Sequence, residues 1–368
     1  MTVSGPKVQD FTDRRRRLPV EVDVSPVYEL LLALFVYQSG HGEVDEYESG
    51  STFFEMVDNH ASPELKSDFA ELAGCGALWL TMIGIAHDAS DRSSVDGFLA
   101  HFATFDPVEL RRMLLADAGV KPARGFDPAV IAAAAEGDTR SAQTLLDQAT
   151  EAPGKPVDQG LRLLLGLEPS ATRDRIADVV SRFNTDIVPH LEPVLPVLQR
   201  DADEKRAMAA RMTAERLVET ATNGITFEMQ PSVSGVLLIP SVIVKPWVVI
   251  AEHDTLRIFC YSVSDEHLSA DPDAPPTYLV DLYKALGDER RLRILGILAE
   301  GDAPLSAVAE RIDLAKSTTH HHLRVLRSAG LVRVIVGDDD KRYSLRSDAV
   351  PEAGRLLEGY LGRTPTSH

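Results

Sequence analysis

The chain has 368 residues, of which 44% are hydrophobic and 6% aromatic, and a formal net charge of −18. This length allows two or three domains with cores of their own, and the composition is typical of folded globular proteins. Because the net charge is negative, the chain is not basic throughout, and any nucleic-acid contact must come from a local excess of cations. Cys75 and Cys260 lie far apart, which predicts a reducing, cytoplasmic location without disulfides.

No stretch of the sequence predicts a membrane span or a secretory signal. The most apolar stretch, residues 235–251, is interrupted by Pro240, Lys245 and Pro246. These interruptions leave it too short to cross a bilayer, so it is better interpreted as buried strands, and no membrane partner is expected.

The first eighteen residues contain four consecutive arginines at positions 14–17 and show no hydrophobic periodicity. We therefore expect residues 1–18 to form a flexible basic tail. Such a tail could contact DNA phosphates, although a solvated arm without a role has the same composition.

Residues 19–263 are predicted to form a regulatory or assembly domain. Alternating Val20, Val22 and Val24 indicate a strand, and Pro26 opens an apolar helix. Residues 62–223 are largely helical, with a long amphipathic helix over 201–221. Runs of β-branched residues within 227–261 predict a small antiparallel sheet. Residues 264–276 are acidic and contain prolines, which is typical of a linker.

Residues 277–368 predict a second domain with the order of a winged helix-turn-helix. Apolar spacing indicates a helix over 305–312, a turn over 313–316 and a second helix over 317–329. The run 331–336 is rich in β-branched residues, 337–340 are turn residues, and 341–346 would return as the second strand of the wing. The fold class is therefore α+β: a mainly helical N-terminal domain with a small antiparallel sheet, followed by a C-terminal winged helix-turn-helix.

The second helix is predicted to read DNA. Leu323, Leu326 and Ala329 lie on one stripe, which would be buried. The polar residues on or beside the opposite face are suited to base edges and phosphates, and two cations would lie on the wing. The predicted DNA-binding residues are Lys316, Ser317, Thr318, His320, His321 and Arg324 on the helix, and Lys341 and Arg342 on the wing.

Three segments in order carry a family resemblance: LGDERRLRILGILAEG at 286–301, STTHHHLRVLRSAGLV at 317–332, and the entry into the wing. Residues 277–348 resemble the ArsR/SmtB winged-helix regulators. The resemblance implies major-groove contacts for Ser317, Thr318, His320 and His321 and wing contacts for Lys341 and Arg342. The VEVDVSPVYELLLAL segment also resembles the domain that precedes such modules in some longer bacterial regulators. One departure is Ala315, where the family usually has a capping Ser, so either Ser317 caps a later helix start or the first turn is less well held.

The second departure is that LSAVAERI, at 305–312, has no thiol where the family's metal sensors have one. Soft-metal sensing needs thiolates or clustered imidazoles, so we predict no metal site and no cofactor. His320, His321 and His322 are consecutive on a helix and point about 100° apart, so they do not readily share an ion. His322 is expected to pack or to contact the turn.

Charge is unevenly distributed along the chain. Residues 277–348 contain twelve Lys and Arg against eleven Asp and Glu, whereas the other residues carry about −19. An acidic body with one neutral-to-basic segment favours selective DNA binding over non-specific binding.

Winged helices of this kind bind palindromic DNA as dimers, because two-fold protein symmetry matches two half-sites. By resemblance, the dimer contact would use apolar residues of the first and last helices, although packing within one chain would use the same residues. These candidates are Tyr278, Leu279, Leu282, Leu286, Leu356, Leu357 and Tyr360. A small molecule or protein effector is expected to bind the N-terminal domain.

The sequence thus predicts a non-enzymatic, sequence-specific transcriptional regulator, a dimeric repressor whose partner is double-stranded DNA. Two alternatives stay open: a winged helix used for protein contact, and an enzyme tethered to DNA. The catalytic candidates are His87-Asp88 and Glu252-His253-Asp254, and side chains of adjacent residues diverge too much to make an acid-base unit. Cys75 lies in an apolar segment and is expected to be a buried, inert thiol.

Overall fold

A computed structural model describes residues 18–40, 47–72, 75, 78–118, 126–150, 157–227, 232–264, 277–336 and 341–346, with 353, 354, 357, 360 and 361. Residues 1–17 of the predicted tail, 265–276 of the predicted linker and the wing turn 337–340 lie outside the described residues.

The N-terminal part begins with a short strand and continues through a long run of helices, as predicted. The elements are β1 Val20–Val22, α1 Pro26–Gly40, α2 Gly50–His60, α3 Pro63–Leu72, α4 Leu78–Asp88, α5 Val95–Thr104, α6 Pro107–Ala118, α7 Pro128–Ala135, α8 Thr139–Thr150, α9 Val157–Gly166, α10 Pro169–Asp186, α11 Leu195–Ala209, α12 Ala214–Ala221, β2 Ile225–Phe227, β3 Gly235–Ser241, β4 Val249–His253 and β5 Leu256–Ser262.

The helix predicted over 201–221 is wrong as a single helix, because α11 ends at Ala209 and α12 starts at Ala214. Thr213 lies between them with an extended backbone, and its side chain accepts a hydrogen bond from the backbone N–H of Arg216. A Thr in this position caps a new helix start, which separates α12 from α11.

The N-terminal sheet is mixed rather than antiparallel, which corrects part of the predicted fold class. Its strand order is β1-β3-β5-β4, where β1 and β5 both run parallel to β3 and only β4 pairs antiparallel with β5. The predicted strands are present, but an apolar run does not encode its direction. Buried parallel strands have the same near-continuous hydrophobic sequence.

This sheet lies between two helical layers. All seven residues of β3 are buried. Leu237 and Ile239 join the large core formed with α1, α4 and other helices, whereas Val236 and Leu238 face a smaller core with α11 and α12. The alternation is that of a strand buried on both faces.

The C-terminal part is a winged helix-turn-helix. Its elements are α13 Thr277–Leu286, α14 Glu289–Ala299, β6 Ala303–Pro304, α15 Leu305–Ile312, α16 Lys316–Ser328, β7 Val332–Val336 and β8 Lys341–Leu345. These helices and strands enclose a separate hydrophobic core. Among the described helices, none combines the length and the apolar character needed to cross a membrane.

The wing sheet contains a strand from the preceding part of the chain. Its order is β2-β7-β8-β6, and β2 pairs parallel with β7. The N–H of Val334 donates to the carbonyl oxygen of Gly224 at 3.0 Å. Ile225 on β2 packs at the same time into the core with α11 and α12, so this short strand connects the two parts.

Candidate DNA-binding surface

The turn between α15 and α16 positions the predicted reading helix. Asp313 ends α15 in the left-handed region, with φ at 55°. The reading helix α16 starts at Lys316, one residue earlier than predicted, and follows Ala315 without a capping side chain. Of the two alternatives at this position, the structure therefore has the first turn that lacks a side-chain cap.

Helix α16 has a buried face and an opposite, accessible face. Thr319, His322, Leu323 and Leu326 are buried. The predicted DNA-binding residues divide into two groups: Lys316, Ser317 and His321 are exposed, whereas Thr318, His320 and Arg324 are half-buried. Leu323 and Leu326 confirm the predicted apolar stripe.

The three consecutive histidines have separate surroundings. His320 stacks on Trp247, with ring centroids 5.9 Å apart. Nδ1 of His321 lies 2.9 Å from Nη2 of Arg324. His322 is buried, which confirms the packing prediction, and burial lowers its pKa while the nearby Asp288 carboxylate opposes that shift.

Sequence reasoning missed Trp247, which lies in the connection between β3 and β4 and contacts the reading helix. Arg324 and Arg327 place their guanidinium carbons 5.2 and 5.7 Å from the centre of the Trp247 ring system. Nη2 of Arg327 donates to the carbonyl oxygen of Pro246 at 3.3 Å. No periodicity or motif marks this contact, because the two segments are far apart in sequence.

The predicted wing cations lie at the start of β8, next to the wing turn. Lys341 and Arg342 are both exposed. Nη2 of Arg342 donates to the carbonyl oxygen of Asp302 at 2.7 Å, which holds part of this side chain against the body of the winged helix. The surface therefore has cations at two places: the start of α16 and the wing.

A family model described as a helix-turn-helix domain matches residues 286–335. An uncharacterized HTH-type transcriptional regulator of Methanocaldococcus jannaschii is 32% identical over 79 residues, which are 21% of this chain and 89% of that protein. The transcriptional repressor SdpR of Bacillus subtilis is 33% identical over 83 residues, 23% of this chain and 92% of SdpR. The chain belongs to the helix-turn-helix transcriptional regulators.

Further relatives of this helix-turn-helix regulator include proteins with other regulatory roles. The transcriptional activator HlyU of Vibrio cholerae is 35% identical over 78 residues, 21% of this chain and 72% of HlyU. Among solved structures, a homodimeric winged helix-turn-helix DNA-binding domain from Mycobacterium bovis is 25% identical, with a TM-score of 0.20, and covers 25% of this chain and 89% of that chain. NolR from Sinorhizobium fredii is 28% identical, with a TM-score of 0.20, over 24% of this chain and 96% of that chain.

The predicted dimer residues of the regulator are divided between core and surface. Leu279 and Leu282 are buried within the single chain, and Leu282 packs in the winged-helix core with Leu286 beside it. Leu357 and Tyr360 are half-buried. The side chain of Tyr278 and all of Leu356 lie outside the described residues. Tyr283 on α13 and Leu361 near the end of the chain, which the prediction omitted, have exposed apolar side chains.

The weak catalytic candidates of the regulator come together in an unexpected pair. Nε2 of His253 lies 2.7 Å from Oδ2 of Asp88. The other ring nitrogen, Nδ1, is buried without a hydrogen-bond partner, and the ring packs on the backbone of Gly84. That nitrogen lies against the backbone of α4, so the pair connects β4 to α4.

The surroundings of two other sites, a thiol that could react and a cluster that could bind a metal ion, give each a structural explanation. Burial raises the pKa of the Cys75 thiol to about 12, which agrees with the prediction of an inert cysteine. Glu21, Asp23 and His87 offer ligand atoms within 4.8 Å of one another. Arg92 lies beside them, with Nε 2.6 Å from Asp23 and Nη2 3.5 Å from Glu21, so a guanidinium already supplies the positive charge.

Proposed function

We propose that this regulator binds a specific double-stranded DNA sequence as a homodimer, with α16 in the major groove and the wing beside it, and represses transcription there. The observation that carries the proposal is the accessible face of α16. It presents Lys316, Ser317 and His321 to solvent at the start of the helix, while the other face is packed in the core. We also propose DNA contacts for the other predicted residues, which are Thr318, His320 and Arg324 on α16 and Lys341 and Arg342 on the wing.

The chemistry of this face suits DNA. A hydroxyl and an imidazole can both hydrogen-bond to base edges in the major groove, and an ammonium group at a helix N-terminus favours a phosphate. Lys341 and Arg342 on the wing would contact the sugar-phosphate backbone, which positions the protein without reading sequence.

A dimer would match a palindromic operator. Two recognition helices related by a two-fold axis read half-sites about 34–36 Å apart. Exposed Tyr283 and Leu361, together with half-buried Leu357 and Tyr360, provide apolar surface for the contact between two copies. We place the regulator in the cytoplasm and assign it no cofactor and no enzymatic step.

An effector site remains part of the proposal. A cavity of about 360 Å³ lies between the N-terminal part and the winged helix. Lys205, Asn223 and Lys245 line one side, and Asp281 and Arg327 line the other. A small molecule or peptide that binds there would contact both parts, and it would shift their equilibrium if it bound one arrangement more tightly than the other.

Selection and titration test the reading face. A random-sequence pool of DNA duplexes is selected with the full chain, and the enriched duplex is compared with a scrambled one of the same composition. The double variant Ser317→Ala, His321→Ala should lose about 1–3 kcal/mol of discrimination between them. Undiminished discrimination would remove this assignment, and no selected duplex at low salt would favour the protein-contact alternative.

The wing variant is the matched control, because its expected signature differs. Lys341→Ala, Arg342→Ala should weaken both duplexes and lower the salt slope by about two, because each lost phosphate contact removes about 0.9 from the slope. A reporter with the selected duplex between promoter and gene then tests repression, since SdpR is a repressor whereas HlyU is an activator.

A further inference from the structure

The accessible face of α16 is partly covered by the regulator itself. The Trp247 contact consists of the Trp247 ring, the stacked ring of His320 and the guanidinium groups of Arg324 and Arg327. His320 and Arg324 belong to the residues proposed to bind DNA. Both are half-buried, whereas Ser317 and His321 on the same helix are exposed.

The segment that carries Trp247 is held in place by its own bonds. The backbone N–H of Trp247 donates to the carbonyl oxygen of Val244 at 2.7 Å. The hydroxyl of Ser262 on β5 donates to the carbonyl oxygen of Trp247 at 3.0 Å. Arg327 on α16 donates to Pro246 as described above. The segment around Trp247 is therefore held by hydrogen bonds both to β5 and to α16.

DNA and Trp247 cannot occupy this face together. The major groove is about 12 Å wide, and an α-helix with its side chains has a diameter of about 10–12 Å. No space remains in the groove for an indole ring stacked between the helix and the bases.

We propose that Trp247 is an internal gate: it covers His320 and Arg324 in the closed state of the free protein, and specific DNA binds only when the ring has left α16. This inference rests on the proposed function, because it takes α16 as the reading helix. It adds a mechanism of regulation, since any ligand that stabilises or breaks the Trp247 contact changes DNA affinity without touching DNA.

Energetics set the expected size of the effect. The apparent affinity for DNA is the affinity of the open state multiplied by the fraction of the protein that is open. One stacked imidazole and two cations over an indole favour the closed state, and we expect them to weaken binding about tenfold, which corresponds to about 1.4 kcal/mol.

Fluorescence tests the contact without DNA. The chain has two tryptophans, and the other, Trp79, is fully buried, so subtraction of the Trp247→Phe spectrum isolates Trp247 emission. In the full chain, His320→Ala, Arg324→Ala should shift that emission to longer wavelength and increase its quenching by acrylamide. An unchanged emission would show that His320 and Arg324 are not covered by Trp247 and would overturn the inference.

DNA binding tests the gate. Trp247→Ala should bind the selected duplex about tenfold more tightly than wild type, and Trp247→Phe should lie between them. Leu195→Ala, at an exposed apolar residue of α11, should be unchanged. Saturating DNA should shift Trp247 emission of the wild type in the same direction as the helix variants. Thermal melting of each variant checks that the fold is retained.

The outcomes separate the two proposals. If wild type discriminates between duplexes but Trp247→Ala binds no more tightly, the gate is wrong and the proposed function stands. Weaker binding by Trp247→Ala would make Trp247 a DNA contact and would also overturn the gate. If neither protein selects a duplex, the proposed function fails, and the gate on DNA fails with it, whatever the fluorescence shows.

Discussion

At the scale of single residues, Gly84 on α4 lies directly against the ring of His253 on β4. A Cβ built at Gly84 would lie 2.4 Å from the ring, closer than real atoms approach. The ring is fixed on its other edge by the bond to Asp88 at 2.7 Å, so it cannot move away freely. The missing side chain at Gly84 therefore allows α4 and the sheet to pack closely.

We expect Gly84→Ala to lower the free energy of unfolding by about 1–3 kcal/mol, because the added methyl overpacks this contact. Gly296→Ala is the matched control: Gly296 is also helical, and nothing lies within 4 Å of its Cβ position. There the substitution should stabilise by up to about 1 kcal/mol through helix propensity. Urea unfolding measures both, and equal effects of the two substitutions would contradict this account.

Residue identity alone predicted the inert Cys75, since its neighbours in sequence are apolar. It did not predict that His253 and Asp88 meet, although both were considered separately. They are 165 positions apart, and the fold of a mixed sheet against α4 brings them together. The contact of Trp247 with His320 was hidden for the same reason. Hydrophobic periodicity reports local structure, and it contains no information about which distant segments pair.

At the scale of elements, helix α16 starts without a side-chain cap. Ala315 has φ −59° and ψ 145°, an extended backbone that a capping Ser readily adopts. We expect Ala315→Ser to stabilise the regulator by about 1 kcal/mol, because its hydroxyl can accept one of the free N–H groups of the first turn.

Thr213→Ala is the opposite control for the cap. Thr213 already caps α12, and loss of its bond to the N–H of Arg216 should cost about 1 kcal/mol. Chemical unfolding measures the free energy of unfolding of both variants, which should rise in Ala315→Ser and fall in Thr213→Ala. A destabilising Ala315→Ser would show that the first turn of α16 is held by something other than its cap.

Burial of His322 predicts a dependence on pH. Its pKa in the fold is below the usual value of about 6.5, because burial penalises the charged ring. The unfolded chain therefore takes up the proton first, and stability falls as pH decreases through about 6.5 towards the lower folded pKa. His322→Gln removes this uptake, so the stability gap between wild type and the variant should narrow from about pH 8 to about pH 5. Unfolding by urea at both pH values measures the gap, and a constant or widening gap would contradict the prediction.

Element prediction succeeded where the pattern is local. Helices α15 and α16 were placed to within one residue, because apolar spacing and Gly330 indicate the same boundaries. It failed for strand direction in the N-terminal sheet, where β3 and β5 run parallel although both are apolar runs. The three-residue strand β2 gave no usable signal, and its partner β7 lies more than a hundred residues further along.

At the scale of the whole molecule, β2 joins two hydrophobic cores, because it pairs with β7 of the wing and packs against α11 and α12. Gly224 immediately precedes β2, with φ at 102°, and a Cβ there would lie 3.2 Å from the carbonyl oxygen of Val332. Asn223 beside it donates from Nδ2 to the carbonyl oxygen of Ser328, at the end of α16, at 2.5 Å. The junction thus connects α12, the wing and the reading helix, and the two parts should unfold together.

We expect Gly224→Ala to separate this unfolding into two transitions, because the β7 backbone must shift by a few tenths of an ångström to admit the methyl group, and a side chain is also strained at this φ. Gly137→Ala separates the two causes. Gly137 has a φ of 99°, and nothing lies within 4 Å of its Cβ position, so this variant has the backbone strain without the collision. Scanning calorimetry should show one transition for wild type and Gly137→Ala, at a lower temperature in the variant, and two for Gly224→Ala. Two transitions in Gly137→Ala, or one in Gly224→Ala, would mean that the pairing of β2 with β7 does not couple the two cores.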